Sequence, residues 1–145
     1  MSANTSLAQR VGLAFGAFYI AIGVIGFFIT GFNVGFTAET GDKLLGVAIN
    51  PFQNLAHLGI GLILVIFALQ KNVAAAEGTV MGVGLFYVVA FVIGVTAPDN
   101  LTILGIRGED QLANFLHLVS GVFLLGVGLV SSGQTQAQMK RRGLA

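Results

Sequence analysis

Cysteine and tryptophan are both absent from the 145 residues. Without cysteine there is no disulfide, no thiolate metal site, no cysteine nucleophile and no cysteine-borne lipid anchor. Charge is scarce as well. Asp, Glu, Lys and Arg together make up 9% of the chain, against about a quarter in ordinary globular proteins. The formal net charge of +1 gives no reason to expect a nucleic acid as partner. Histidine occurs only twice, as His57 and His117.

What is present in excess is apolar. Hydrophobic residues reach 55% and the mean hydropathy is +0.89, so the chain reads as an integral membrane protein. Its length fits one domain, 1–145. The 21 glycines fit close packing of helix backbones, because small residues let helices approach in lipid.

Four apolar runs are long enough to span a bilayer, at about 20 residues each: roughly 11–30, 51–69, 79–97 and 111–130. The first is read as a retained span rather than a signal peptide. It is long for a signal core, and no small-x-small cleavage site follows it. The second begins with Asn50 as a cap, Pro51 in the first turn and Gln53 at the third position. Pro98-Asp99-Asn100 ends the third, and Gly108-Glu109-Asp110 reads as the cap of the fourth. Gln70 to Gly78 reads as a polar turn, which leaves no charged residue inside any span.

Arg10, Lys71, Lys140, Arg141 and Arg142 fall on the side of both termini, and Lys43 and Arg107 on the other. The positive-inside rule then puts both termini in the cytoplasm. Both histidines lie near the opposite face.

A short phrase occurs twice, as Asn54-Leu-Ala-His57-Leu58 and Asn114-Phe-Leu-His117-Leu118, 60 positions apart. Gly16-Ala-Phe-Tyr19 with Gly26 recurs as Gly84-Leu-Phe-Tyr87 with Gly94, 68 positions apart. Leu45-Gly46-Val47 matches Leu104-Gly105-Ile106. These matches predict two parallel helix–loop–helix repeats, about 11–70 and 79–130, related by an axis along the membrane normal. The segments Lys43 to Asn50 and Leu101 to Arg107 would then pair as a small cap.

Within the spans, residues 54, 57, 61, 64 and 68 share one helix face, as do 114, 117, 121, 124 and 128. Gly12, Gly16, Tyr19, Gly23 and Gly26 form a seam on span one, and Gly84, Tyr87, Phe91 and Gly94 on span three. Steps of three and four residues are the period of a left-handed bundle. The expected fold is an all-α membrane protein of four transmembrane helices in a left-handed bundle.

The polar groups at membrane depth are Asn54, His57, Asn114 and His117, with Tyr19 and Tyr87 on the facing seams. Two readings of the histidines stand side by side. In the first they are structural and neutral, each hydrogen-bonded to an asparagine or a loop carbonyl. In the second, His57 and His117 grip a b-type haem between facing helices, with Gly61 and Gly121 making room for the ring. A metal site is not expected, because zinc needs three or four ligands. The tyrosines should lean toward their own helix N-termini, away from the histidines, and hydrogen-bond to backbone.

The stretch Asn50-Pro-Phe-Gln-Asn54-Leu-Ala-His57-Leu58, echoed by Asn114-x-x-His117-Leu118, resembles a family of small four-span membrane proteins grouped as domain of unknown function 4383. The likeness covers nearly the whole chain. It implies an actinobacterial origin and a plasma-membrane location, and supplies no activity. Members often carry a histidine where this chain has Gln53 and an aspartate where it has Ala113, so the site here is poorer in ligands. The functional expectation is a non-enzymatic bundle with no catalytic residues and no resident cofactor. It would be embedded in the lipid bilayer as an accessory or scaffold subunit, with other membrane proteins or further copies of itself as partners. The alternatives are a bis-histidine electron carrier and a binder of lipid or quinone between the repeats.

Overall fold

The computed structural model describes residues 5–32, 41–96, 106 and 110–144. Four helices dominate it: α1 (Leu7–Thr30), α2 (Pro51–Ala68), α3 (Val73–Thr96) and α4 (Gln111–Arg141). Their most apolar stretches have mean hydropathies of 2.2, 1.6, 2.2 and 1.9. The shortest, α2, has 18 residues. At 1.5 Å per residue that gives about 27 Å, close to the thickness of a bilayer core. Large apolar side chains such as Phe18, Phe28, Leu62, Ile66, Leu85 and Phe123 stand exposed around the perimeter. All four helices fit a multi-pass membrane protein, and the fold is an all-α bundle embedded in lipid.

The helices associate as two close antiparallel pairs, α1 with α2 and α3 with α4, which pack on each other chiefly through α3 against α1 and α2, and α1 against α4. Glycine sets the spacing inside each pair. A Cβ built on Gly16 would come within 2.8 Å of the Gly61 carbonyl oxygen, and one on Gly61 within 2.7 Å of the Gly16 oxygen. The same reciprocal contact joins Gly84 and Gly121 at 3.0 and 2.9 Å. Each pair thus touches backbone to backbone, which no larger residue would permit. The expected seams are the buried ones. Gly12, Gly16, Tyr19, Gly23 and Gly26 are all buried on α1, as are Asn54, Gly61, Leu64 and Ala68 on α2. On α3, Ala90 is buried where Phe91 was expected to be, with Phe91 only half-buried.

The helix starts are chemically capped. Asn50 accepts from the Gln53 N–H at 2.8 Å while Gln53 Oε1 accepts from the Asn50 N–H at 3.0 Å, the capping box expected there. Ser6 and Gln9 form the same box on α1. Asp110 Oδ1 caps α4 by accepting from the Ala113 N–H at 3.0 Å.

A short antiparallel hairpin, β1 (Lys43–Leu44) and β2 (Val47–Ala48), lies between α1 and α2. Leu45 and Gly46 both take positive φ, 52° and 87°, as a two-residue type I′ turn requires. The hairpin is tied to α4 because Asp110 Oδ2 accepts from the Ala48 N–H at 3.1 Å. Of the second cap segment, only Ile106 belongs to the described residues, and it is buried. Pro98-Asp99-Asn100, Leu104-Gly105, Arg107 and Gly108-Glu109 lie outside the described residues.

Three helices run past their apolar spans at the end that carries both termini: α1 begins at Leu7, α3 at Val73, and α4 continues to Arg141. Asn72 Oδ1 accepts from the Ala75 N–H at 3.3 Å and starts α3 within what reads as a polar turn. Alanine-rich sequence after it is strongly helix-forming. This corrects one expectation, for Glu77 stands inside α3 and is 4% exposed.

Candidate functional site: a histidine–tyrosine array

The reciprocal glycine contacts fix which residues share a depth. Gly16 is level with Gly61, and Gly23 with Asn54, whose carbonyl oxygen lies 2.7 Å from a Cβ built on Gly23. Midway between them, Tyr19 comes level with His57. By the Gly84–Gly121 contact, Tyr87 comes level with His117 in the second pair.

The rings then meet. Tyr19 stacks on His57 with centroids 5.5 Å apart and planes 22° from parallel. Tyr87 lies against His117 at 5.5 Å and 30°. The tyrosines stack on each other at 5.5 Å and 16°. His57, Tyr19, Tyr87 and His117 form a four-ring array that joins the two helix pairs. Phe15 extends it by packing on Tyr19 at 6.0 Å and on Phe123 at 5.4 Å. All four expected site rings are therefore brought together, by a contact that sequence reasoning did not foresee.

The asparagines do something different. Asn54 is fully buried, and its Nδ2 donates to Thr30 Oγ1 at 3.0 Å. A Cβ on Gly26 would fall on the Asn54 amide, and one on Gly94 would fall on the Asn114 amide. One Gly26 Cα–H therefore points at Asn54 Oδ1, which has no conventional donor. Contacts of that kind contribute about 0.5–1 kcal/mol each. Each asparagine thus clamps the loop end of its own helix pair.

Two local expectations are corrected. Neither histidine Nδ1 has a hydrogen-bond partner, so the asparagines do not hold the imidazoles. The Tyr87 hydroxyl is likewise buried and without a partner, rather than bonded to backbone. In both cases the ring is held by stacking.

The site does not fit a haem between His57 and His117. One face of each imidazole rests on a tyrosine, and the two histidines are joined through those tyrosines. Gly61 and Gly121, which would have made room for the macrocycle, are filled by Gly16 with Ile20 and by Gly84 with Val88. The cavity beside His117, bordered by Asn50, Gln53 and Asp110, measures about 20 Å³, room for about one water molecule. Among the described residues no three His, Cys, Asp or Glu side chains cluster as metal ligands.

A second polar cluster sits at the other end of the bundle. Ser131 Oγ and Thr135 Oγ1, one turn apart on α4, donate to Glu77 Oε1 at 2.9 and 2.7 Å. Ser131 Oγ also accepts from the Ala8 N–H at 3.2 Å, which draws α1 into the cluster. Gln9 Nε2 donates to the Gln70 carbonyl at 2.7 Å and ties α1 to the chain leaving α2. The Asn72 cap and the Ala-Ala-Ala-Glu77 run that follows were the sequence signal for this cluster.

Comparison with curated proteins and with solved structures returns no match. A family described as a domain of unknown function (DUF4383) matches residues 9–130, which takes in the four apolar spans, both Asn-x-x-His motifs and both tyrosines. The chain belongs to that family.

Proposed function

We propose that the protein is a non-enzymatic accessory or scaffold subunit of a larger assembly in a bacterial plasma membrane. The observation that carries this reading is how the bundle fills its own centre. Glycine contacts close the space within each helix pair, and the four-ring array with Phe15 joins the two pairs. The cavity beside His117 has room for about one water, which favours this reading over a quinone or substrate bound at that histidine. A rigid bundle of this kind acts through its outer surface, by packing against other membrane proteins or further copies of itself.

The matched contacts Gly16–Gly61 and Gly84–Gly121, and Gly26–Asn54 and Gly94–Asn114, support an internal repeat of two parallel helix pairs. The excess of basic residues beside the termini supports a cytoplasmic location for both. Since the chain has no cysteine, single cysteines at Ser2 and Leu45 give a clean labelling test of that orientation.

The assembly reading is tested by gentle solubilisation and native mass measurement. A stoichiometric second protein, or a defined homo-oligomer, is the expected result. A lone 15.0 kDa chain carrying nothing but lipid would overturn it.

A further inference from the structure

At the end that carries both termini, α1, α3 and α4 border an open cleft of about 520 Å³. Arg10 and Arg142 line it, together with Ser131, Thr135 and Gln138. The apolar run of α4 ends at Val130, just before Ser131, so the cleft lies where the bilayer core gives way to headgroups. Its two sides differ in charge. The guanidiniums of Arg10 and Arg142 are exposed, and Lys140 and Arg141 in the last turn of α4 add to the positive field. Behind its inner side stands the buried Glu77, which among the described residues accepts from the hydroxyls of Ser131 and Thr135 that line the cleft.

We propose that this cleft binds a phosphate ester carrying a primary amine, the headgroup chemistry of phosphatidylethanolamine. Arginine forks match phosphate oxygens and fix the anionic part of the ligand. The ammonium turns inward to Thr135 Oγ1, which keeps an acceptor lone pair after donating to Glu77, and the carboxylate behind it supplies the opposite charge. A buried carboxylate is expected to be paired, and this headgroup provides the cation. A headgroup of negative charge alone would meet Glu77 with the wrong sign. A trimethylated amine has no N–H to donate. The site is separate from the histidine–tyrosine array and does not depend on the accessory role.

The test uses the full chain, delipidated in detergent, with dioleoyl lipids of three headgroups and retention read by native mass spectrometry. Phosphatidylethanolamine should be retained at least five-fold better than phosphatidylglycerol or phosphatidylcholine. Arg10→Gln with Arg142→Gln should cut retention of phosphatidylethanolamine five-fold or more. Glu77→Gln should erase its advantage over phosphatidylglycerol. If Glu77→Gln does not fold, Thr135→Val reads the same preference. Soluble phosphoethanolamine is the remaining arm. Displacement of the lipid by millimolar headgroup assigns recognition to the amine ester itself, and failure to displace assigns it to the membrane lipid. Equal retention of the three lipids, or an unchanged double arginine variant, would overturn the proposal.

Discussion

Tyr19 and Tyr87 stack at 5.5 Å with their planes 16° apart, and through this contact the first helix pair is locked to the second. Each is buried, at 6% and 3% exposure, and each carries a histidine on its flank. The contact is therefore a joint between the two helix pairs.

Since the Tyr87 hydroxyl is buried without a hydrogen-bond partner, Tyr87→Phe should be neutral or stabilising, by up to about 1–3 kcal/mol. Tyr87→Ala empties the joint and should cost about 3–5 kcal/mol. Thermal unfolding of both variants in one detergent separates ring packing from hydroxyl chemistry. A Phe variant as damaged as the Ala variant would show that the hydroxyl matters.

Gly26→Ala and Gly94→Ala each drive a methyl group into an asparagine amide, and each should cost about 1–3 kcal/mol. Gly59, Gly82 and Gly126 meet nothing within 4 Å when a Cβ is added. Alanine at those three positions should be neutral, or stabilising by up to about 1 kcal/mol. Unfolding temperatures of the five variants should fall into two groups along that line.

Thr30→Val removes the acceptor of the Asn54 amide and keeps the side-chain volume. The expected loss is about 0.6–1.7 kcal/mol, the range for hydrogen bonds between membrane helices. A loss near zero would mean that Asn54 finds another partner in lipid.

Asp110 performs two tasks, capping α4 through Oδ1 and holding the Ala48 N–H through Oδ2. Asp110→Ala should cost about 1–2 kcal/mol and raise amide exchange at Ala48 as well as at Ala113. Asp110→Asn keeps one acceptor and should protect one of those amides but not both.

Much of this was legible in the sequence because membrane helices leave few options. The Asn50–Pro51–Gln53 start, the Asp110 cap and the glycine seams each follow from local chemistry, and the structure has them where the residue types require. The ring array was not legible. It depends on the register between two antiparallel helices, and a side chain's lean along its own helix does not reveal that. The reciprocal pairs Gly16–Gly61 and Gly84–Gly121 carry the register, and matching them would have set Tyr19 beside His57. Glu77 was missed for another reason. A hydropathy window ends at the last apolar residue, whereas the helix continues through Ala74, Ala75 and Ala76 back to the Asn72 cap. The haem reading rests on two histidines and two glycines of suitable spacing, and the structure turns those glycines onto their own partner helices, a register the spacing alone does not show.

The central claim is that a closed bundle without a resident cofactor works as part of a larger membrane assembly. Purification from the native membrane at endogenous level tests it most directly, with particle mass and visible absorption read on one sample. The account expects a stoichiometric companion protein or a defined multiple of this chain, and no Soret band. A monomer alone in its lipid shell, or a Soret band that follows the chain through purification, would contradict it.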